Sequence, residues 1–132
     1  MHVKYDERTF HEQKQLWQAS NTKDYEYHLF ADGYILYDGK IIVENGRFKE
    51  DEILHALSIP SIDMLIGYST IDRIYETIEE AIKYNTYKEI WVEYDKINHI
   101  PIRINFIREE TPGLAVDGTF DYSISDFKKT TN

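Results

Sequence analysis

Cysteine is absent from this chain of 132 residues. That excludes disulfides, Cys-ligated zinc and thiol catalysis. A chain of this length buries roughly two thirds of its unfolded surface, so one domain over residues 1–132 has core enough without such staples. Positive charge is scarce: 15 Lys and Arg stand against 24 Asp and Glu, a formal net charge of −9. Binding to a phosphate backbone rests on Lys and Arg neutralising phosphates, so nucleic acid is not an expected partner, and neither is an anionic membrane surface. Long hydrophobic runs are missing as well. None approaches the ~18–20 residues of a membrane span, and the opening M-H-V-K-Y-D-E-R has no apolar signal core. The chain is therefore expected not to insert into a membrane. It is expected to be cytoplasmic if Met1 is the native start, or a mature segment whose signal or anchor is gone.

What is present is periodic. Thr9 to Ser20 reads as a helix, with Thr9 and Glu12 forming a capping box and Phe10, Leu16 and Trp17 on one stripe. Gln13, Lys14 and Gln15 are assigned to water. From Asp24 the period changes to two: Tyr25, Tyr27 and Leu29 alternate with Glu26, His28 and Phe30, as a half-buried strand requires. Asp32-Gly33, Asp38-Gly39 and Asn45-Gly46 read as turns, which gives strands at Tyr34–Tyr37 and Lys40–Glu44 and an antiparallel meander. Residues 48–68 show no clean period. Glu50–Leu57 has the spacing of a short helix stopped by Pro60, and the rest reads as a covering loop.

Ser69 or Thr70 caps the clearest helix, with Asp72 in its first turn. Ile71, Ile74, Tyr75, Ile78 and Ile82 make one apolar stripe, and Asn85 breaks the helix. Three strands follow. Ile90, Val92 and Tyr94 share one face, as do Ile102, Ile104 and Phe106, then Phe120, Tyr122 and Ile124. Trp91, Glu93, Arg103, Asn105, Asp121 and Ser123 take the other face. Tyr94–Ile104 joins the first two of these strands and fixes their register, with Tyr94 and Ile102 facing the core. The order α-βββ-α-βββ predicts an α+β fold: a single curved antiparallel sheet of about six strands with two helices packed on one face.

Catalytic signatures are wanting. There is no G-x-S-x-G, no P-loop and no G-x-G-x-x-G. The histidines at 2, 11, 28, 55 and 99 show no metal-ligand spacing, and Asp117–Asp121 lacks the ligands of an EF-hand. No cofactor, metal or catalytic residue is assigned, and the chain is read as a non-enzyme. A carboxylate pair brought together in space would support a hydrolase instead. The candidate binding face is Trp91, Glu93, Arg103, Asn105 and Asp121, because an amphipathic Trp beside Arg on an open sheet suits recognition.

The chain resembles a family of small uncharacterised bacterial domains found in lipoproteins and secreted proteins. The residues that carry the resemblance are Thr70-Ile71-Asp72 through Glu79-Glu80-Ala81, Tyr94-Asp95 with Ile100-Pro101-Ile102-Arg103-Ile104, and Val116-Asp117-Gly118 through Asp126-Phe127. Trp17, Asn21, Tyr25, Tyr27 and Asp38–Lys40 extend it over about residues 10–127. Asn98-His99 departs from the family's Gly-Tyr, and its early Cys pair is absent. The resemblance implies a cell-envelope or extracellular location, with a lipid anchor or signal upstream, and no activity. With no catalytic constellation present, the expected role is binding of an unknown protein or small ligand. The alternative is an acidic cytosolic inhibitor or immunity-type protein that neutralises a basic enzyme by charge complementarity.

Overall fold

A computed structural model describes residues 4–33, 36–49, 66–108 and 119–130. The expected short helix at Glu50–Leu57, and the turn signals at Pro112-Gly113 and Asp117-Gly118, lie outside the described residues. Two helices, α1 (Glu7–Ser20) and α2 (Ile71–Lys83), accompany β1 (Tyr25–Asp32), β2 (Leu36–Glu44), β3 (Arg47–Phe48), β4 (Glu89–Asp95), β5 (Ile100–Ile107) and β6 (Thr119–Lys129). The strands form a six-stranded sheet in the order β3-β2-β1-β6-β5-β4. Every pairing is antiparallel. The α+β class and the α-βββ-α-βββ order thus hold. Two meanders meet where β1 pairs with β6.

One sheet face lies against the helices. Tyr25, Tyr27, Leu29, Ile41, Val43, Ile90, Val92, Ile104, Phe106, Tyr122 and Ile124 are buried there with Phe10, Trp17, Ile71, Ile74, Tyr75 and Ile78 from the helices. Polar groups tie the layers together. The Tyr27 hydroxyl donates to the Tyr68 carbonyl at 2.6 Å, and the Ile71 N–H donates to the Tyr25 hydroxyl at 2.9 Å. The Tyr75 hydroxyl donates to the His99 carbonyl at 2.7 Å, and the Trp17 indole N–H to Asp72 at 3.0 Å. Burial pushes the phenols of Tyr25, Tyr27 and Tyr75 well above the usual tyrosine range, so they remain neutral partners.

Four expectations are corrected. First, α1 begins earlier: Asp6 is its cap, accepting from the Thr9 N–H at 2.9 Å and from the Thr9 hydroxyl at 2.7 Å. Its inward stripe is Phe10, Gln13 and Trp17, while Leu16 is 41% exposed. Gln13 is buried because its amide oxygen meets His99 Nδ1 at 3.0 Å. Second, Asp38-Gly39 is not a turn. β2 runs straight through it, with Gly39 opposite Leu29. A Cβ on Gly39 would lie 2.7 Å from the Tyr37 hydroxyl, so glycine makes room for that ring. Asn45-Gly46 is the β2–β3 turn, where both residues take positive φ (53° and 75°), as a tight hairpin demands. Third, Ala81 replaces Ile82 on the α2 stripe, and Ile82 is exposed. Fourth, the β4–β5 register is not continuous: it shifts between Glu93 and Tyr94 and makes Ile102 the extra residue of a bulge, although Tyr94 and Ile102 still pack against the core as expected, each partly buried.

Thr70 caps α2 by accepting from the Arg73 N–H at 3.0 Å, and Asn85 takes a left-handed φ of 52° just past its end. The β4–β5 turn is built by Asp95, which accepts from the Ile97 N–H and the Asn98 side chain, each at 2.9 Å. His99 supplies the left-handed residue of that turn, at φ 60°.

Candidate functional site

The sheet face away from the helices is where alternate residues of β4, β5 and β6 emerge. Register arranges them in rows. Trp91 stands opposite Asn105, and Asn105 opposite Asp121. Glu93 stands opposite Arg103, and Arg103 opposite Ser123. Glu89, Ile107 and Thr119 form a third row. Directly opposed side chains on one face have Cβ atoms about 4.5–5.5 Å apart, so these are neighbours.

Trp91, Arg103, Asn105, Ile107, Thr119 and Asp121 line an open pocket of about 440 Å³. Four of the five residues expected on the binding face thus lie in one concavity, and Glu93 is the register neighbour of Arg103 on the same face. Ile107 and Thr119 were not expected there, although their strand parity matches that of Asn105 and Asp121. Trp91 is held by its indole N–H, which donates to Glu89 at 3.1 Å. Arg103 is exposed and makes no ion pair with another described residue.

Asn105 is the unusual member. It projects from the open face yet is only 5% exposed. Its amide nitrogen donates to Asp121. A carboxylate accepts only, so this bond fixes the amide orientation and leaves Oδ1 as the acceptor that needs a donor. Oδ1 is buried and has no partner among the described residues. Leaving a buried polar atom unpaired costs about 1–3 kcal/mol.

Asp121 has a further neighbour. Asp32 of β1 stands opposite it in register, and like charges placed so are unfavourable. Asp32 is exposed and outside the pocket lining. Elsewhere, Tyr94, Ile97, Ile100, Ile102 and Phe127 border a second cavity of about 540 Å³ at the β4–β5 turn, together with the polar side chains of Asp95, Lys96, Ser125 and Asp126. The Tyr94 hydroxyl is buried without a partner among the described residues. Among the described residues no group of three or more His, Cys, Asp or Glu is placed to hold a metal ion. No helix among them is long and apolar enough to cross a membrane.

Fold and face together define an open-faced α+β domain, in which helices cover one side of an antiparallel sheet and an open pocket of mixed lining marks the other. A family model described as a family of unknown function (DUF6174) matches residues 9–129, so the chain belongs to that family. No curated protein and no solved structure matches it.

Proposed function

We propose that this is a non-enzymatic binding domain of the cell envelope or the extracellular space, and that it binds its ligand in the pocket around Trp91. The observation that carries the reading is the buried Asn105 Oδ1, without a partner among the described residues, on a side chain that lines a pocket beside Trp91. Folded proteins retain few such atoms, and a bound donor accounts for one in a pocket. The size supports the reading, since ligand pockets occupy about 300–1,000 Å³. The envelope location rests on the resemblance to lipoprotein and secreted domains.

The test is a titration of isotopically labelled protein with fractionated bacterial envelope extract. Shifts are expected at the Trp91 indole and the Asn105 amide, with the Trp17 indole, which is bonded to Asp72, unmoved. Shifts gathered on the helices, or none from any fraction, overturn the reading. The Asp32–Asp121 opposition favours a second reading, a hydrolase using two carboxylates. Turnover of a nitrophenyl glycoside that is lost in both Asp32→Asn and Asp121→Asn would establish it and remove the non-enzymatic assignment.

A further inference from the structure

The chemistry of the pocket narrows its ligand. Three classes fit poorly. An anion would meet Asp121, with Asp32 opposite it and Glu93 in the next row. A simple cation would meet Arg103, which no described carboxylate neutralises. A purely apolar ligand would leave Asn105 Oδ1 unpaired and would seal it further from water. What the site offers is mixed. Asn105 Oδ1 and the Asp121 carboxylate accept, the Arg103 guanidinium donates, and the Thr119 hydroxyl does both. Trp91 and Ile107 add apolar surface beside them.

Building on the binding reading above, we propose that the pocket receives one pyranose unit of a neutral saccharide. A sugar ring carries hydroxyls that each donate and accept around its rim, and a C–H face that lies against an aromatic ring. One hydroxyl donates to Asn105 Oδ1, a neighbouring hydroxyl donates to Asp121, and Arg103 donates to a hydroxyl or ring oxygen. The C–H face covers Trp91. The open shape suits a unit within a chain as well as a free sugar, because nothing among the described residues closes over it.

The proposal makes an unusual prediction about stability. Asn105→Leu keeps the side-chain size and removes the orphaned acceptor. It should leave the melting midpoint unchanged or raise it by up to about 5 °C, since relief of the buried acceptor outweighs or balances the lost bond from the amide to the half-buried Asp121. The same variant should lose saccharide binding at least tenfold. A residue with a purely structural role would move both quantities the same way. Trp91→Ala is the second variant: its fold is checked by the unchanged Trp17 environment, and it too should lose binding.

The probes are glucose, galactose, N-acetylglucosamine and the β-1,4-linked tetramer of N-acetylglucosamine. Each is used at about 10 mM, some tenfold above a millimolar Kd. At least one probe is expected to shift both the Trp91 indole and the Asn105 side-chain amide, while the Trp91 indole stays unmoved in Asn105→Leu and the Asn105 side-chain amide stays unmoved in Trp91→Ala. A response to the tetramer alone assigns a glycan chain, and an equal response to a single sugar assigns a free monosaccharide. No shift with any probe overturns the saccharide assignment, as does a shift that survives Asn105→Leu. A shift of the same two groups by glycine or by a lysine-rich peptide, with none from the sugars, overturns the saccharide assignment yet leaves the pocket as the binding site. The two readings therefore fail separately.

Discussion

The two faces of the sheet are made by the same strands, residue by residue, and they solve opposite problems. Along β4, Ile90 and Val92 are buried under the helices while Trp91 and Glu93 emerge on the other side. On the covered face Tyr25 accepts from the first N–H of α2, Tyr27 and Tyr75 donate to the Tyr68 and His99 carbonyls, and Trp17 of α1 donates to Asp72 of α2, so polarity there locks helix to sheet and helix to helix. On the open face the polar groups are left at odds: Asp32 opposes Asp121, Arg103 makes no described ion pair, and Asn105 Oδ1 is orphaned. Local choices that disagree with folding stability gather at functional sites. On the binding reading proposed above, the difference separates a face kept for stability from one kept for recognition.

The sharpest way to break that contrast is to truncate each face in turn. Phe106 is fully buried, stacked on Tyr87 at 4.6 Å and edge-on to Tyr122 at 5.8 Å. Phe106→Ala should cost about 3–5 kcal/mol in urea denaturation, a large part of a domain's usual stability. Trp91→Ala, one residue type larger but on the open face, should cost less than about 1 kcal/mol. Equal losses would mean that the open face is a second core.

A smaller effect compares two hydroxyls on the covered side. Tyr27→Phe removes the bond to the Tyr68 carbonyl and should cost about 1–3 kcal/mol, because a buried acceptor is left bare. Tyr94→Phe removes a hydroxyl with no partner and should be neutral or stabilising by up to about 1 kcal/mol. Thermal melts of the two variants check both. A loss at Tyr94 equal to that at Tyr27 would give its cavity a structural partner instead of a vacancy for chemistry.

Strand parity carried most of this architecture into view. A residue's face depends only on its own strand, so Trp91, Arg103, Asn105 and Asp121 could be put on one side from alternation alone. The α2 stripe was legible for the same reason. What local pattern could not carry was anything set by a distant partner. Gln13 is inward because His99, far along the chain, turns its ring to it. Asp38-Gly39 has turn chemistry, but β1 offers it a continuous ladder and Tyr37 needs the missing side chain. The bulge at Glu93–Tyr94 is a property of two strands together. So is the burial of Asn105: a polar residue on an outward position reads as solvated until its neighbours across the sheet are known.

The smallest effect tests whether the open face contributes to stability through charge. Glu26, on the open side of β1, lies 3.5 Å from the Lys40 ammonium and 3.3 Å from that of Lys128. Burial pushes its carboxyl up, but Lys128 and Lys40 outweigh that and hold it below the usual glutamate value. A carboxyl depressed in the folded state stabilises fully above its unfolded pKa of about 4.3, and the gain is lost as pH falls through the folded value. Glu26→Gln should therefore cost under about 1 kcal/mol at pH 7, the scale of a solvent-screened pair. It should cost nothing at a pH below both values, so the acid limb of the stability profile becomes shallower. On the helix side Asp6 has the same sign, its carboxyl held low by the Thr9 hydroxyl and N–H. Asp6→Asn should flatten the acid limb too, while salt should weaken only the Glu26 contribution, since Asp6 rests on hydrogen bonds and Glu26 on exposed ammonium groups. Salt-insensitive behaviour at Glu26 would show that the open face holds its charges by packing, as the covered face does.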